Sequence, residues 1–138
     1  VYSIYTFVSN YKDSGLFGIY AGTGSNEIAK LVPVICGEIK SICDKVTEGE
    51  LTRARAQLKS STIMALESSS SRCEQAARQL QIFGRPIPIS EVIEMIDAVN
   101  VEAVTKVARR IFDSRPTIAA IGPIDKLEDY SQIEERLQ

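Results

Sequence analysis

No histidine occurs among the 138 residues, and most zinc hydrolase sites and the common nucleophilic triads rest on an imidazole. Those mechanisms are excluded for this stretch taken by itself. Cys36, Cys43 and Cys73 form an odd set without C-x-x-C spacing. They replace an imidazole only if the fold gathers them with carboxylates. Cys36 and Cys43 fall on one predicted helix, about 10.5 Å apart along its axis, too far for a disulfide. Both read as small buried hydrophobes.

Two carboxylate pairs, Glu48 with Glu50 and Glu134 with Glu135, have the residue types for general acid and base work or for a hard cation. The first pair opens a predicted helix, where negative charge complements the macrodipole, and the second lies in a charged terminal helix; both positions explain them without chemistry. Asp125, Glu128 and Asp129 likewise read as a solvated face. Gly15 to Gly24 reads GLFGIYAGTG, but it lacks G-x-x-x-x-G-K-[ST], and its G-x-G is not followed by the third glycine of a dinucleotide fingerprint. Tyr2, Tyr5, Tyr11 and Tyr20 could each hold a phenol over a substrate, yet tyrosines in a hairpin are commonly half-buried packing residues. No catalytic, cofactor-binding or metal-ligating residue is assigned in this chain.

These residues sit on a predicted α+β frame. Tyr2, Ile4, Thr6 and Val8 alternate with Ser3, Tyr5, Phe7 and Ser9, a period of two that marks a strand. Tyr11 to Gly15 supply turn chemistry and Leu16 to Ala21 resume a strand, so the two form an antiparallel hairpin. Gly18 and Gly22 interrupt it, as at a bulge or a close approach. The period then becomes helical: Ile28, Leu31, Val32, Ile35, Ile39, Ile42 and Val46 share one face. Pro33 within it predicts a kink or a late start. Thr47 and Glu50 spell a capping box that opens a second helix. The serines 68–71 bend the chain, and Gly84, followed by Pro86 and Pro88, ends a third helix. Ser90 and Asn100 are predicted caps of two shorter helices. Thr117 to Ile121 reads as a buried strand returning to the sheet, and Lys126 to Gln138 as a surface helix. The expectation is a single domain over 1–138, without internal repeats.

Composition narrows the function classes. With 44% apolar residues the chain has enough nonpolar surface for a core. Sixteen basic and 18 acidic side chains nearly cancel and are interspersed, so no basic stripe is available for nucleic acid. The longest apolar runs fall far short of a membrane helix. Neither nucleic acid nor membrane is an expected partner. Cysteine usage favours the cytoplasm or another reducing soluble compartment. The first residue is Val1 and a strand begins almost at once, so the expectation is a fold entered part-way, with chemistry held by preceding residues.

Several segments in this order, VYSIYTF, GLFGIYAGTG, VTEGELTRARAQLKSS, Ser71-Arg72-x-Glu74-Gln75 and Phe83-Gly84-Arg85-Pro86, resemble the C-terminal domain of bacterial mitochondrial-processing-peptidase-like proteins. These are members of the pitrilysin, or M16, metallopeptidases. The resemblance runs from Val1 to Gly122-Pro123. It implies an antiparallel sheet packed on one face by several helices, the half-fold of M16 peptidases and LuxS-like proteins, with the domain's first strand and helix missing. It also implies a parent with an N-terminal half that binds zinc through H-x-x-E-H and a further glutamate. None of that motif is in this chain, so no cofactor is expected here and zinc is expected in the parent's other half.

The resemblance makes this stretch the noncatalytic half of a processing endopeptidase, partnered by the zinc-binding half and by unfolded peptide. A zinc-less structural or partner subunit is the alternative. Tyr2 matches a family tyrosine that reaches toward the scissile region, where a phenol could donate to a developing oxyanion. The arginine that precedes it by seven residues in the family would fall before Val1. Packing within the strand is the other reading of Tyr2. An exposed hairpin edge or apolar face is also expected to make this chain self-associate.

Overall fold

Alternation at the start of the chain becomes a hairpin: β1 (Ser3–Asn10) pairs antiparallel with β2 (Gly15–Gly22), with Tyr5 opposite Tyr20, Phe7 opposite Gly18 and Asn10 opposite Gly15. The structure is a computed structural model that describes residues 1–11 and 13–138. Lys12, part of the expected turn, lies outside them; the Tyr11 amide donates to the Ser14 carbonyl at 2.9 Å and helps close the turn.

The chain divides into two compact units, residues 1–45 with 105–138, and residues 46–104. In the first, the helical periodicity yields α1 (Ile28–Asp44), which carries Pro33 inside it rather than starting after it. Proline there removes one backbone donor, and the apolar stripe outweighs that loss. Cys36 on α1 and Ile133 on the last helix of the chain are both buried at 4% exposure, and those two helices pack on each other. Burying an isoleucine fully stabilises by about 1.5–3 kcal/mol. Phe17 of β2 meets Phe112 edge-on, with ring centroids 5.5 Å apart at 88°, which ties the hairpin to the helices of this unit. The Arg109 guanidinium donates to the Cys43 carbonyl at 2.8 Å and so occupies one orphan acceptor at the end of α1.

The second unit opens with α2 (Glu48–Ala65), and its capping box is formed as the sequence requires: the Glu50 amide donates to Thr47 Oγ1 at 3.2 Å, and the Thr47 amide donates to Glu50 Oε2 at 2.9 Å. The serine run is where α2 gives way to α3 (Ser69–Phe83), because Ser68 Oγ accepts from the Ser71 amide and caps the new helix. Gly84 ends α3 with φ 70°, a left-handed conformation that glycine adopts without steric cost. The next helix, α4 (Ile89–Ala98), starts earlier than expected. Pro88 holds the N-cap position and its carbonyl accepts from the Val92 amide, leaving Ser90 inside the first turn rather than at the cap. Leu51 of α2 and Ile96 of α4 are the buried apolar residues of this unit. The Arg55 guanidinium donates through Nε and Nη2 to the Val99 carbonyl, and Lys59 reaches Asp97 at 2.7 Å. Asn100 does cap α5 (Val101–Phe112), its Oδ1 accepting from the Ala103 amide at 2.8 Å.

Two expectations for the chain's end are corrected. Thr117 to Ile121 forms no strand, because a strand needs a ladder partner, and the sheet of the described residues pairs β1 with β2 alone. The charged terminal segment is helical only over α6 (Tyr130–Leu137), which is amphipathic and buries Ile133 rather than lying wholly on the surface. The fold is α+β, as expected, with a sheet of two strands and six helices among the described residues. No helix among them is long and apolar enough to cross a membrane.

Candidate functional site

The register of the hairpin sorts its side chains onto two faces. Ser3, Tyr5, Phe7 and Ser9 stand opposite Gly22, Tyr20, Gly18 and Leu16, so these share one face. Tyr5 stacks on Tyr20 with centroids 4.9 Å apart at 23°, and Phe7 lies 6.5 Å from Tyr5 at a tilt of 54°. Gly18 explains how a third ring fits: a β-carbon at that position would meet the Phe7 ring at 2.1 Å, so only glycine lets the ring lie flat against the strand. Tyr5 is 55% exposed and Tyr20 49%. Three rings therefore form an aromatic platform open to solvent. The other face carries Val8, Phe17 and Ile19, which line a cleft shared with α1 and α5.

Tyr2, the one residue to which the resemblance gives a role, stands at the mouth of the hairpin. It is 86% exposed, and its amide donates to the Gly22 carbonyl at 2.8 Å. A β-carbon at Gly24 would lie 3.5 Å from the Tyr2 hydroxyl, ordinary contact distance. By alternation Tyr2 falls with Ile4, Thr6 and Val8, not with the aromatic platform. The expectation that the hairpin tyrosines are half-buried is corrected: Tyr2, Tyr5, Tyr11 and Tyr20 are all exposed.

The carboxylates are engaged separately. Glu50 is held below the usual carboxylate range by its hydrogen bonds from Thr47, while Glu48 lies 3.5 Å from Arg55. Glu134 is lowered by the Arg115 fork, and Glu128 by Arg136 at 2.8 and 2.7 Å. The Gln132 side chain accepts from the Asp129 amide at the start of α6. Cys36, Cys43 and Cys73 are free, and burial raises the Cys36 and Cys43 thiols above their usual pKa. Among the described residues no three histidine, cysteine or carboxylate groups come together for a metal. The described residues therefore offer a zinc ion no ligand set.

Sequence reasoning did not single out Phe7 with Gly18 or the Tyr5–Tyr20 stack. The signal that could have found them is the turn position, since a hairpin closing between Asn10 and Gly15 puts each opposite the other.

The sequence model of the family described as the peptidase M16 inactive domain matches residues 1–58. The chain is 38% identical over 137 residues to the mitochondrial-processing peptidase subunit beta of Homo sapiens, across 99% of this chain and 28% of that protein. It is 41% identical over 135 residues to the probable subunit beta of Arabidopsis thaliana, across 97% and 25%. An uncharacterized zinc protease of Bacillus subtilis (strain 168) is 33% identical over 123 residues, across 88% and 30%. The chain thus spans between 25% and 30% of the length of these relatives. A chain in the structure of complex III2 from Candida albicans, Inz-5 bound, has the same fold, with a TM-score of 0.87 at 23% identity over 97% of this chain and 33% of that one. Family match and relatives agree that the chain belongs to the M16 peptidases, with residues 1–58 matching the family's inactive domain.

Proposed function

We propose that this chain is the noncatalytic half of a zinc-dependent processing endopeptidase, and that its hairpin offers a contact surface to unfolded peptide in a cavity closed with the zinc-binding half. The observation that carries the reading is the aromatic platform of Tyr5, Phe7 and Tyr20, exposed on a hairpin whose other face lines the apolar cleft. Rigid aromatic rings supply contact area at little conformational cost and accept many peptide sequences. Tyr2 has a free phenol at the hairpin mouth, and its part in this reading is to donate a hydrogen bond near the scissile carbonyl. A reducing soluble compartment, such as a bacterial cytoplasm, belongs to the same proposal, as does self-association of the isolated chain through the open platform, checked by sedimentation at rising concentration.

Cleavage of a fluorogenic unstructured peptide by the full-length parent, with and without a chelator and beside the 138-residue chain, tests it. Expected are chelator-sensitive activity in the parent, none in the 138-residue chain, and a lower turnover rate in the parent carrying Tyr2→Phe. A folded, zinc-supplied parent without activity would establish the structural-subunit alternative instead. Unchanged turnover in the Tyr2 variant would reduce that residue to packing.

A further inference from the structure

Tyr5 of β1 and Tyr20 of β2 stand directly opposite in the register and stack with ring centroids 4.9 Å apart at 23°. Opposed side chains on neighbouring strands are rooted about 5 Å apart, so the pairing lasts as long as the hairpin does. Both phenols are exposed, which gives a small oxidant access and the rings room to turn. Among the described residues no other two tyrosines are in ring contact. Tyr2 and Tyr11 are exposed, and the Tyr130 hydroxyl donates to the Pro116 carbonyl at 2.9 Å. The sequence holds no tryptophan, so tyrosine is its aromatic side chain most readily oxidised by one electron. Two phenols are thus held within reach of each other on an open face.

We propose that Tyr5 and Tyr20 form an oxidative modification site, coupled into a dityrosine by one-electron oxidants of the haem-peroxidase type with hydrogen peroxide as the terminal acceptor. Each phenol gives up one electron and its hydroxyl proton. A carbon–carbon bond then forms between the ring carbons ortho to the two oxygens, and the hydrogens on those carbons move to the oxygens and restore both phenols. The two electrons and two protons released reduce one hydrogen peroxide to two waters. Opposed positions on one hairpin turn the meeting of two radicals into an intramolecular step, for which effective concentrations far exceed those of free tyrosines. The product staples β1 to β2 and removes the open stack. The coupling is independent of whether the parent cleaves peptides; a loss of peptide contact in the coupled form rests on that reading.

Treatment of the 138-residue chain at low protein concentration with a haem peroxidase and hydrogen peroxide, its exposed thiols alkylated beforehand, tests it. Tryptic mapping reads the product, because cleavage after Lys12 and Lys30 leaves Tyr20 as the one tyrosine of peptide 13–30. Expected is a monomer lighter by two hydrogens, with dityrosine fluorescence and with peptide 13–30 joined through Tyr20 to Tyr5 of peptide 1–12. Tyr5→Phe and Tyr20→Phe, which keep an aromatic ring at the stack, are expected to lower the yield of cross-linked monomer by about tenfold or more, and Tyr11→Phe to leave it unchanged. No dityrosine in the monomer overturns the proposal. A cross-link confined to dimers, or one that persists undiminished in Tyr5→Phe, overturns it as well.

Discussion

At the scale of single residues, Gly18 and the paired carboxylates carry the most specific consequences. A β-carbon at Gly18 would strike the far end of the Phe7 ring, at 2.1 Å from Cζ. Phe7 is exposed and free to swing, so Gly18→Ala is expected to lift the ring off the platform while changing stability by no more than about 1 kcal/mol, since alanine also lowers the strand's entropy cost. Ring chemical shifts of Phe7 and a urea titration read the two effects separately. The carboxyls of Glu50, Glu91, Glu128 and Glu134 all lie below their usual pKa of 4.5, each lowered first by a hydrogen bond, from Thr47, Arg85, Arg136 and Arg115 respectively. A depressed carboxyl binds fewer protons folded than unfolded, so its contribution is present above the unfolded value and is lost as pH falls through the folded one. Melting temperature is therefore expected to be flat above pH 4.5 with respect to these groups and to decline below it, with a shallower decline in Arg115→Met.

At the scale of elements, the caps and helix stripes were legible in the sequence because they depend on neighbours three or four positions away. Thr47 with Glu50 and Asn100 formed as written, and Gly84 took the left-handed cap. Thr47→Ala is expected to cost about 1 kcal/mol, read as a shift of the urea midpoint without a change of slope. What was not legible depends on partners far away in the chain. Residues 117–121 have a strand's composition but no ladder, since the sheet of the described residues pairs β1 with β2 alone. Ser90 has a cap's chemistry, but Pro88 holds the N-cap position with no side-chain cap, a choice between two nearby starts that composition does not decide. The aromatic platform needed the register, which rests on the placement of the turn. Burial divides the isoleucines in the same way. Ile133 is 4% exposed and Ile121 fully exposed, so Ile133→Ala is expected to cost about 2–5 kcal/mol and Ile121→Ala less than about 0.5 kcal/mol. Equal costs in a denaturant titration would contradict the packing of α6 on α1.

At the scale of the whole molecule, the chain belongs to the M16 peptidases, its residues 1–58 match the family's inactive domain, and its described residues gather no metal ligand set. Its proposed contribution is a surface rather than a reacting group. The residues that present that surface, Tyr5 and Tyr20, contact each other across the hairpin and have no part in the buried core, so replacing them separates peptide contact from folding. The decisive measurement is steady-state cleavage of an unstructured peptide by the full-length parent carrying Tyr5→Ser with Tyr20→Ser, beside the unaltered parent. A rise in KM of about tenfold, equivalent to ~1.4 kcal/mol, with a smaller change in kcat and an unchanged circular dichroism spectrum is the expected result. Unaltered KM and kcat in a folded variant would contradict a substrate-contacting role for this half.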